Sequence, residues 1–90
     1  MIVLYSHRFN KSFSRRIKSN SSLTQRTVER IRLFVTDPKN EILKNHKLSG
    51  NKVGLFSFSI NGDYRIIYQV IDVDTVKFID IGTHNQVYSA

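Results

Sequence analysis

The sequence predicts an α+β domain with the element order β-α-α-β-β-β, in which an antiparallel sheet carries a two-helix hairpin on one face. Two stretches in the N-terminal half repeat apolar residues at helical spacing, and three runs in the C-terminal half are rich in β-branched and aromatic residues. Short polar turn sequences separate these stretches. A chain of 90 residues has the size of one domain, so we expect a single domain over residues 1–90.

The first predicted strand is the apolar run IVLY at residues 2–5, and Ser6 after it is a residue type that caps helix N-termini. Phe9, Phe13 and Ile17 then recur at every fourth position, which places them on one face of a helix. Lysines and arginines occupy much of the remaining surface of this helix. We expect the apolar face to pack on the sheet and the basic face to meet water.

The second predicted helix follows the polar segment SNSS, and Ser22 is its expected N-cap. Apolar residues from Leu23 to Val35 follow i, i+3, i+4 spacing. The helix is expected to end at Asp37, because the residue before a proline is disfavoured in the α conformation and Pro38 comes next.

The last three predicted strands are the runs GLFSFSI, YRIIYQVI and TVKFIDI. A two-residue turn at Asn61 and Gly62 would place Phe58 opposite Arg65, whereas a three-residue loop over 61–63 places it opposite Ile66. We favour the three-residue loop, because it collects the apolar side chains on one face: Phe56, Phe58, Ile60, Tyr64, Ile66, Tyr68 and Val70. The opposite face, which we expect to be uncovered, then carries Leu55, Ser57, Ser59, Arg65, Ile67 and Gln69.

The charge of the chain is unevenly distributed. The net charge is +7, and residues 1–52 hold 12 Lys and Arg against 3 Asp and Glu. This asymmetry favours an anionic partner, either nucleic acid or an acidic protein, over a merely solvated basic surface. The chain has no cysteine and no apolar run of membrane-spanning length, so we expect a cytoplasmic protein without membrane association.

Three segments in this order resemble the RelE/ParE superfamily of bacterial toxins from type II toxin–antitoxin modules. LKNHKLSG at residues 43–50 is similar to a segment of YafQ-, YoeB- and RelE-like toxins, and GDYRIIYQV at 62–70 is similar to their central strand. IGTHNQVY at 81–88 resembles their terminal strand and tail. The resemblance implies a RelE-like fold similar to microbial ribonucleases, and its pattern is nearest to the YafQ- and RelE-like mRNA interferases.

The resemblance also implies an activity and the residues for it. Most characterised RelE-like toxins cut mRNA in the ribosomal A site, a reaction that needs a base, a cation and an acid but no metal or other cofactor. The matched catalytic positions are His46, Asp63, Arg65, His84 and Tyr88. His46 and His84 would transfer protons, Arg65 would stabilise the transition state, Asp63 would orient one of these groups, and Tyr88 would stack on or position the nucleotide. Each also has a structural alternative: a loop or strand-end histidine, a turn aspartate paired with the arginine, or a core-capping tyrosine.

The basic surface would contact RNA or the ribosome through Arg15, Arg16, Lys18, Arg26, Arg30, Lys47 and Lys52. Further expected partners are a cognate antitoxin and, through the antitoxin complex only, operator DNA. One position departs from the pattern, because YafQ-like enzymes have a further histidine where this chain has Ser59. Two alternatives therefore remain: a ParE-like toxin that acts on DNA gyrase without nuclease activity, and an inactive member that only binds antitoxin.

Overall fold

The fold is built on one five-stranded sheet with parallel and antiparallel strands. The computed structural model describes residues 1–88 apart from the side chain of Asn51, so Ser89 and Ala90 of the predicted domain lie outside the described residues. The elements are β1 (Ile2–Tyr5), α1 (His7–Arg16), α2 (Ser21–Thr36), β2 (His46–Lys47), β3 (Leu55–Ser59), β4 (Tyr64–Asp72), β5 (Thr75–Thr83) and α3 (His84–Tyr88), with short 3-10 turns at Glu41–Leu43 and Gly50–Lys52. The strand order is β1-β5-β4-β3-β2.

The predicted α+β class and the six predicted elements are confirmed, with two additions and one difference in strand direction. The additions are β2 and α3, which are too short for periodicity to mark them. The difference is β1, which pairs in parallel with β5, whereas the other neighbouring strands are antiparallel. The chain leaves β1 through two helices and enters the sheet again at its opposite edge, so no hairpin fixes the direction of β1.

The helix ends follow from short side chains that accept backbone N–H groups. Ser6 caps α1 as predicted, since its Oγ accepts from the Phe9 N–H at 3.0 Å. The expected cap at Ser22 is wrong: Asn20 accepts from the Leu23 N–H at 3.0 Å, so α2 already begins at Ser21. An asparagine side chain three residues before that N–H caps as well as a serine. The helix ends at Thr36, as the following Asp-Pro predicted.

The predicted register of the β3–β4 hairpin is confirmed. Phe58 lies opposite Ile66 and Ser59 opposite Arg65, and the Ile60 N–H donates to the Tyr64 carbonyl at 2.8 Å. The Asn61 side chain closes the loop by accepting from the backbone N–H groups of residues 63 and 64. The loop therefore has three residues, and the apolar side chains share one face of the sheet.

The core lies between α1, α2 and this apolar face. Phe34 of α2 stacks on Phe58 with ring centroids 4.4 Å apart, and both side chains are fully buried. Val70 departs from the prediction, because it is 48% exposed. The last four residues of β4 are all exposed, so this strand extends beyond the cover of the helices.

The opposite face of the sheet is covered around Ser57 and Ile67, contrary to the prediction. Ser57 and Ile67 on this face are 0% and 3% exposed. The cover comes from the terminal helix α3, whose Val87 is itself buried and whose Tyr88 reaches Ser57. The chain therefore folds its own C-terminal segment over the face that carries Arg65. No helix within residues 1–88 has both the length and the apolar character needed to cross a membrane.

Tyr68 connects the core to the segment before β2, because its hydroxyl donates to Asn45 Oδ1 at 2.7 Å. Burial raises the pKa of Tyr68, because the charged phenolate is poorly solvated inside the protein. The neutral phenol therefore contributes its full stability below the unfolded tyrosine pKa of about 10, and this contribution is lost as the pH rises through the folded pKa.

We expect Tyr68→Phe to lower the free energy of unfolding at neutral pH by about 1 kcal/mol through loss of the hydrogen bond, and to weaken the alkaline loss of stability. Urea unfolding at a series of pH values from neutral to alkaline measures both effects. Tyr5→Phe is the matched control, because the Tyr5 side chain is half exposed. An alkaline loss equally steep in Tyr68→Phe and in the unmodified protein would contradict the prediction.

Candidate active site

Arg65 lies at the centre of the candidate site, on β4 between Ser59 of β3 and Gly82 of β5. Its Nε donates to the Ser57 hydroxyl at 2.6 Å, and its Nη2 donates to the Lys44 carbonyl at 3.1 Å. These two bonds hold the guanidinium in one orientation. Arginine has more N–H donors than they use, so the half-buried side chain can still bind an anion.

Ser57 is a site residue that the sequence analysis did not single out. Its side chain is fully buried, and its Oγ accepts from both Arg65 Nε and the Tyr88 hydroxyl, the second at 2.7 Å. One serine thus connects the cation of β4 to the end of α3. The alternation of the strand does place Ser57 on the same face as Arg65, which is the one signal that could have identified it.

The carbonyl of Lys44 brings His46 to Arg65. Lys44 has a left-handed backbone conformation with φ of 49°, which is uncommon for a lysine. His46 Nδ1 lies 2.8 Å from the same carbonyl oxygen that Arg65 binds, so the imidazole and the guanidinium are close neighbours. Because a carbonyl oxygen can only accept, Nδ1 carries the hydrogen, and the neutral ring then has its lone pair on Nε2.

His84 and Tyr88 are the first and last residues of α3, where the sequence predicted a strand end and a tail. Their rings meet edge to face with centroids 4.3 Å apart. Thr83 and Gln86 form a reciprocal cap, since the Thr83 N–H donates to Gln86 Oε1 at 2.8 Å and the Gln86 N–H to Thr83 Oγ1 at 3.2 Å. This cap explains why so short a segment is helical.

Asp63 contacts the site through its backbone. Its carbonyl accepts from the His84 N–H at 2.9 Å, which ties the β3–β4 loop to the start of α3. Within residues 1–88 its carboxylate has no hydrogen-bond or ion-pair partner, and the alternative of a surface ion pair with Arg65 is not formed. Its predicted role in orienting a catalytic group stays a prediction.

The buried carboxylate of Asp80 connects β5, next to the site, to α1. Asp80 is 3% exposed, and its Oδ1 accepts from the Ser12 hydroxyl at 2.6 Å and lies 3.4 Å from Arg16 Nη1. Arg8 Nε lies 3.4 Å from Oδ2. Sequence reasoning missed Asp80, although a single acidic residue within the apolar run TVKFIDI was a signal.

Arg16 also donates to the Ile81 carbonyl at 3.0 Å, so its guanidinium is engaged inside the protein. Gly82 makes this packing possible, because a Cβ there would lie 2.7 Å from both Arg16 Nη1 and Gln86 Oε1. Arg16 thus joins α1 to the strand end that leads into α3. Its predicted contact with RNA stays a prediction.

Five of the predicted RNA-contacting residues line three different clefts. Arg15 and Arg16 line a cleft along α1, Arg26 and Arg30 line another beside β3, and Lys47 lines a third near the end of α2. Lys18 follows α1 and is exposed, and Lys52 ends the second 3-10 turn and is half-buried. Lys44 lines both the cleft of Arg26 and Arg30 and the cleft of Lys47.

The fold has several solved relatives. It superposes on YafQ from E. coli strain BL21(DE3) with a TM-score of 0.81 at 18% identity, covering 96% of each chain. YafQ in the E. coli DinJ-YafQ complex gives a TM-score of 0.79 at 22% identity, also over 96% of each chain. A YoeB/ParE toxin from Agrobacterium tumefaciens gives 0.77 at 18% identity, covering 93% of this chain and 99% of that one. No curated protein sequence gives a significant match.

The family comparison covers almost the entire chain. Residues 1–89 match the model of the YafQ toxin, a bacterial toxin of type II toxin–antitoxin systems. The superposition on solved YafQ structures agrees with this match. The chain therefore belongs to the YafQ family of toxins of type II toxin–antitoxin systems.

Proposed function

We propose that this toxin is a metal-independent endoribonuclease that cuts mRNA in the ribosomal A site and so inhibits translation. The observation that carries the proposal is the Lys44 carbonyl, which binds Arg65 Nη2 and His46 Nδ1 together. A fixed cation beside a proton-transfer group is what cleavage of an RNA phosphodiester requires.

In this reaction the 2′-hydroxyl oxygen attacks the adjacent phosphorus, a 2′,3′-cyclic phosphate forms, and the bond to the 5′-oxygen of the next nucleotide breaks. His46 takes the 2′-hydroxyl proton on Nε2, the nitrogen that the Lys44 carbonyl leaves free. Arg65 binds the charged phosphorane through its unused N–H groups. His84, which is exposed at the start of α3, donates a proton to the leaving 5′-oxygen.

Two further residues complete the site. The Tyr88 hydroxyl is engaged with Ser57, so Tyr88 acts through its ring, against which a base can stack. Asp63 lies in the loop whose backbone binds the start of α3. Its carboxylate would orient the His84 ring in the enzyme–substrate complex.

The partners follow from the family and from the charge. Related toxins have been solved with antitoxins, DinJ with YafQ and YefM with YoeB from Staphylococcus aureus. We propose a cognate antitoxin for this chain and operator DNA binding only through that complex. The basic N-terminal half would bind the phosphates of ribosomal RNA and mRNA. Because translating ribosomes are the site of cleavage, we propose that the toxin acts in the cytoplasm.

A cell-free translation reaction tests the proposal. The toxin is added to ribosomes translating a defined mRNA, and the new 5′ and 3′ ends are mapped. We expect cuts within translated codons, 3′ ends carrying a cyclic phosphate, and a loss of about 100-fold in rate with His84→Ala. Uncut mRNA together with inhibition of DNA gyrase would identify the ParE-like alternative, and neither effect would identify an inactive member.

A further inference from the structure

The strongest unassigned feature is a cationic cleft at the free edge of β3. β2 pairs with β3 at Phe56 and Ser57, and Leu48 bonds to Leu55, so within residues 1–88 only the end of β3 at Phe58 and Ser59 has no neighbouring strand on that side. A cleft of about 340 Å³ follows this edge. Its lining comes from α2, the segment before β2 and the β3–β4 loop: Arg26, Arg30, Ile42, Lys44, Ser59, Asn61 and Gly62.

Three of the residues that line the cleft are cationic, Arg26, Arg30 and Lys44, and none is acidic. Arg26 and Arg30 are four residues apart on α2, so two like charges share one helix face, an arrangement that is unfavourable without an anion nearby. Glu29 offsets this little, because it lies 3.9 Å from Arg26 and both side chains are about half exposed. An anion in the cleft would remove the repulsion.

Two backbone features prepare the cleft for an anion. Arg30 Nη1 donates to the Ile42 carbonyl at 3.3 Å, which fixes this side chain beside the first 3-10 turn. The Ile60 N–H donates to β4, so by the alternation of an antiparallel pair the Ser59 N–H points away from β4, towards the free edge. The Ser59 hydroxyl is used locally, since it donates to the Asn61 carbonyl at 2.6 Å.

The cleft adjoins the candidate active site through two residues, Lys44 and Ser59. Lys44 lines the cleft, and its carbonyl is the group that holds Arg65 and His46. Ser59 also belongs to both, because it lines the cleft and lies opposite Arg65 in the sheet. An anion bound in the cleft would therefore be a near neighbour of the phosphate at Arg65.

We propose that Arg26, Arg30 and Lys44 form a second phosphate subsite, which binds the mRNA backbone at a phosphate flanking the cleaved bond. This inference rests on the proposed function and deepens it. Strand β3 has no ionisable side chain. The positive charge beside β3 therefore comes from α2 and from the segment before β2. A phosphate bound there would fix which nucleotide lies at Arg65.

The test combines a double variant with site-specific neutralisation of the RNA. Programmed ribosomes carry mRNAs in which single phosphates around the cleaved bond are replaced by uncharged methylphosphonates. Arg26→Ala/Arg30→Ala is compared with Lys11→Ala/Arg32→Ala, which removes the same charge from exposed positions outside the cleft. Thermal unfolding verifies that both variants are folded.

We expect Arg26→Ala/Arg30→Ala to lower kcat/KM on unmodified mRNA by about 10- to 100-fold, mainly through KM, and the control to change it less than about threefold. One flanking methylphosphonate should lower the unmodified toxin's kcat/KM by about tenfold and leave that of the double variant unchanged. That loss of sensitivity at a single phosphate would identify the subsite.

Three results would overturn the inference. If the double variant is as active as the control, the cleft does not bind substrate. If it is less active but keeps its full sensitivity to every methylphosphonate, its arginines contact ribosomal RNA and not mRNA. If the unmodified toxin does not cut unmodified mRNA, the proposed function fails and the subsite with it, so the two failures are distinguishable.

Discussion

Arg65→Ala is expected to lower the rate of mRNA cleavage by about 100- to 1000-fold, the range seen when one donor to a charged transition state is removed. Arg65 is the cation best placed to reach a phosphate, because Ser57 and the Lys44 carbonyl both orient its guanidinium. The loss should appear in kcat, since the charge of the phosphorane is greater than that of the ground-state phosphodiester. Single-turnover cleavage on programmed ribosomes measures it.

Two comparison variants separate charge from geometry. Arg65→Lys keeps the positive charge but has no donor fork, so we expect it to remain at least about tenfold slower than the unmodified toxin. Ser57→Ala keeps the arginine but removes the acceptor for its Nε and for the Tyr88 hydroxyl, and we expect a loss of about tenfold. If folded Arg65→Ala protein cleaved at the normal rate, this residue would not be part of the catalytic site.

Much of the fold could be predicted because its main elements bury whole rows of side chains. The β3–β4 register is the clearest case, since a slip by one residue would place Arg65 opposite Phe58 and turn charges towards the core. The helix cap at Asn20 was missed by two residues, because several neighbouring polar residues could cap equally well.

The elements that could not be predicted depend on contacts distant in sequence. β2 has only two residues, and it is a strand because His46 and Lys47 lie beside β3. α3 is a single short segment that is stabilised by its cap and by the buried side chain of Val87. Since α3 is what covers part of the face of Arg65, the sequence could not indicate this cover.

The candidate site shows the same division. Side chains with recognisable chemistry, such as His46, Arg65 and His84, can be identified from motifs. The groups that bring them together are a backbone carbonyl and a buried serine, at Lys44 and Ser57. Neither group has a distinctive local sequence pattern. Every residue has a carbonyl, and the direction of the Lys44 carbonyl depends on the left-handed conformation of that residue.

Asp80→Ala is expected to lower the free energy of unfolding by about 1–3 kcal/mol, because the carboxylate accepts buried hydrogen bonds from the Ser12 hydroxyl and the Ile81 N–H. Asp80 is 3% exposed, whereas its partner Arg16 has a side chain 26% exposed and Arg8 one 57% exposed. Urea unfolding measures the loss. Ser12→Ala is the matched control, since it removes only one hydrogen bond to the same carboxylate and should cost about 1 kcal/mol.

The same substitution should also affect the active site at temperatures where the variant is still folded. Without Asp80, Arg16 keeps only its bond to the Ile81 carbonyl, and its packing against Gly82 and Gln86 is no longer fixed. Gln86 caps α3, so we expect His84 and Tyr88 at its two ends to lose their fixed positions and cleavage to fall by about tenfold. Asp80→Asn retains an acceptor for Ser12 and should recover part of the stability and part of the rate together. Full cleavage activity in folded Asp80→Ala protein would mean that α3 is positioned by its cap and by Ser57 alone.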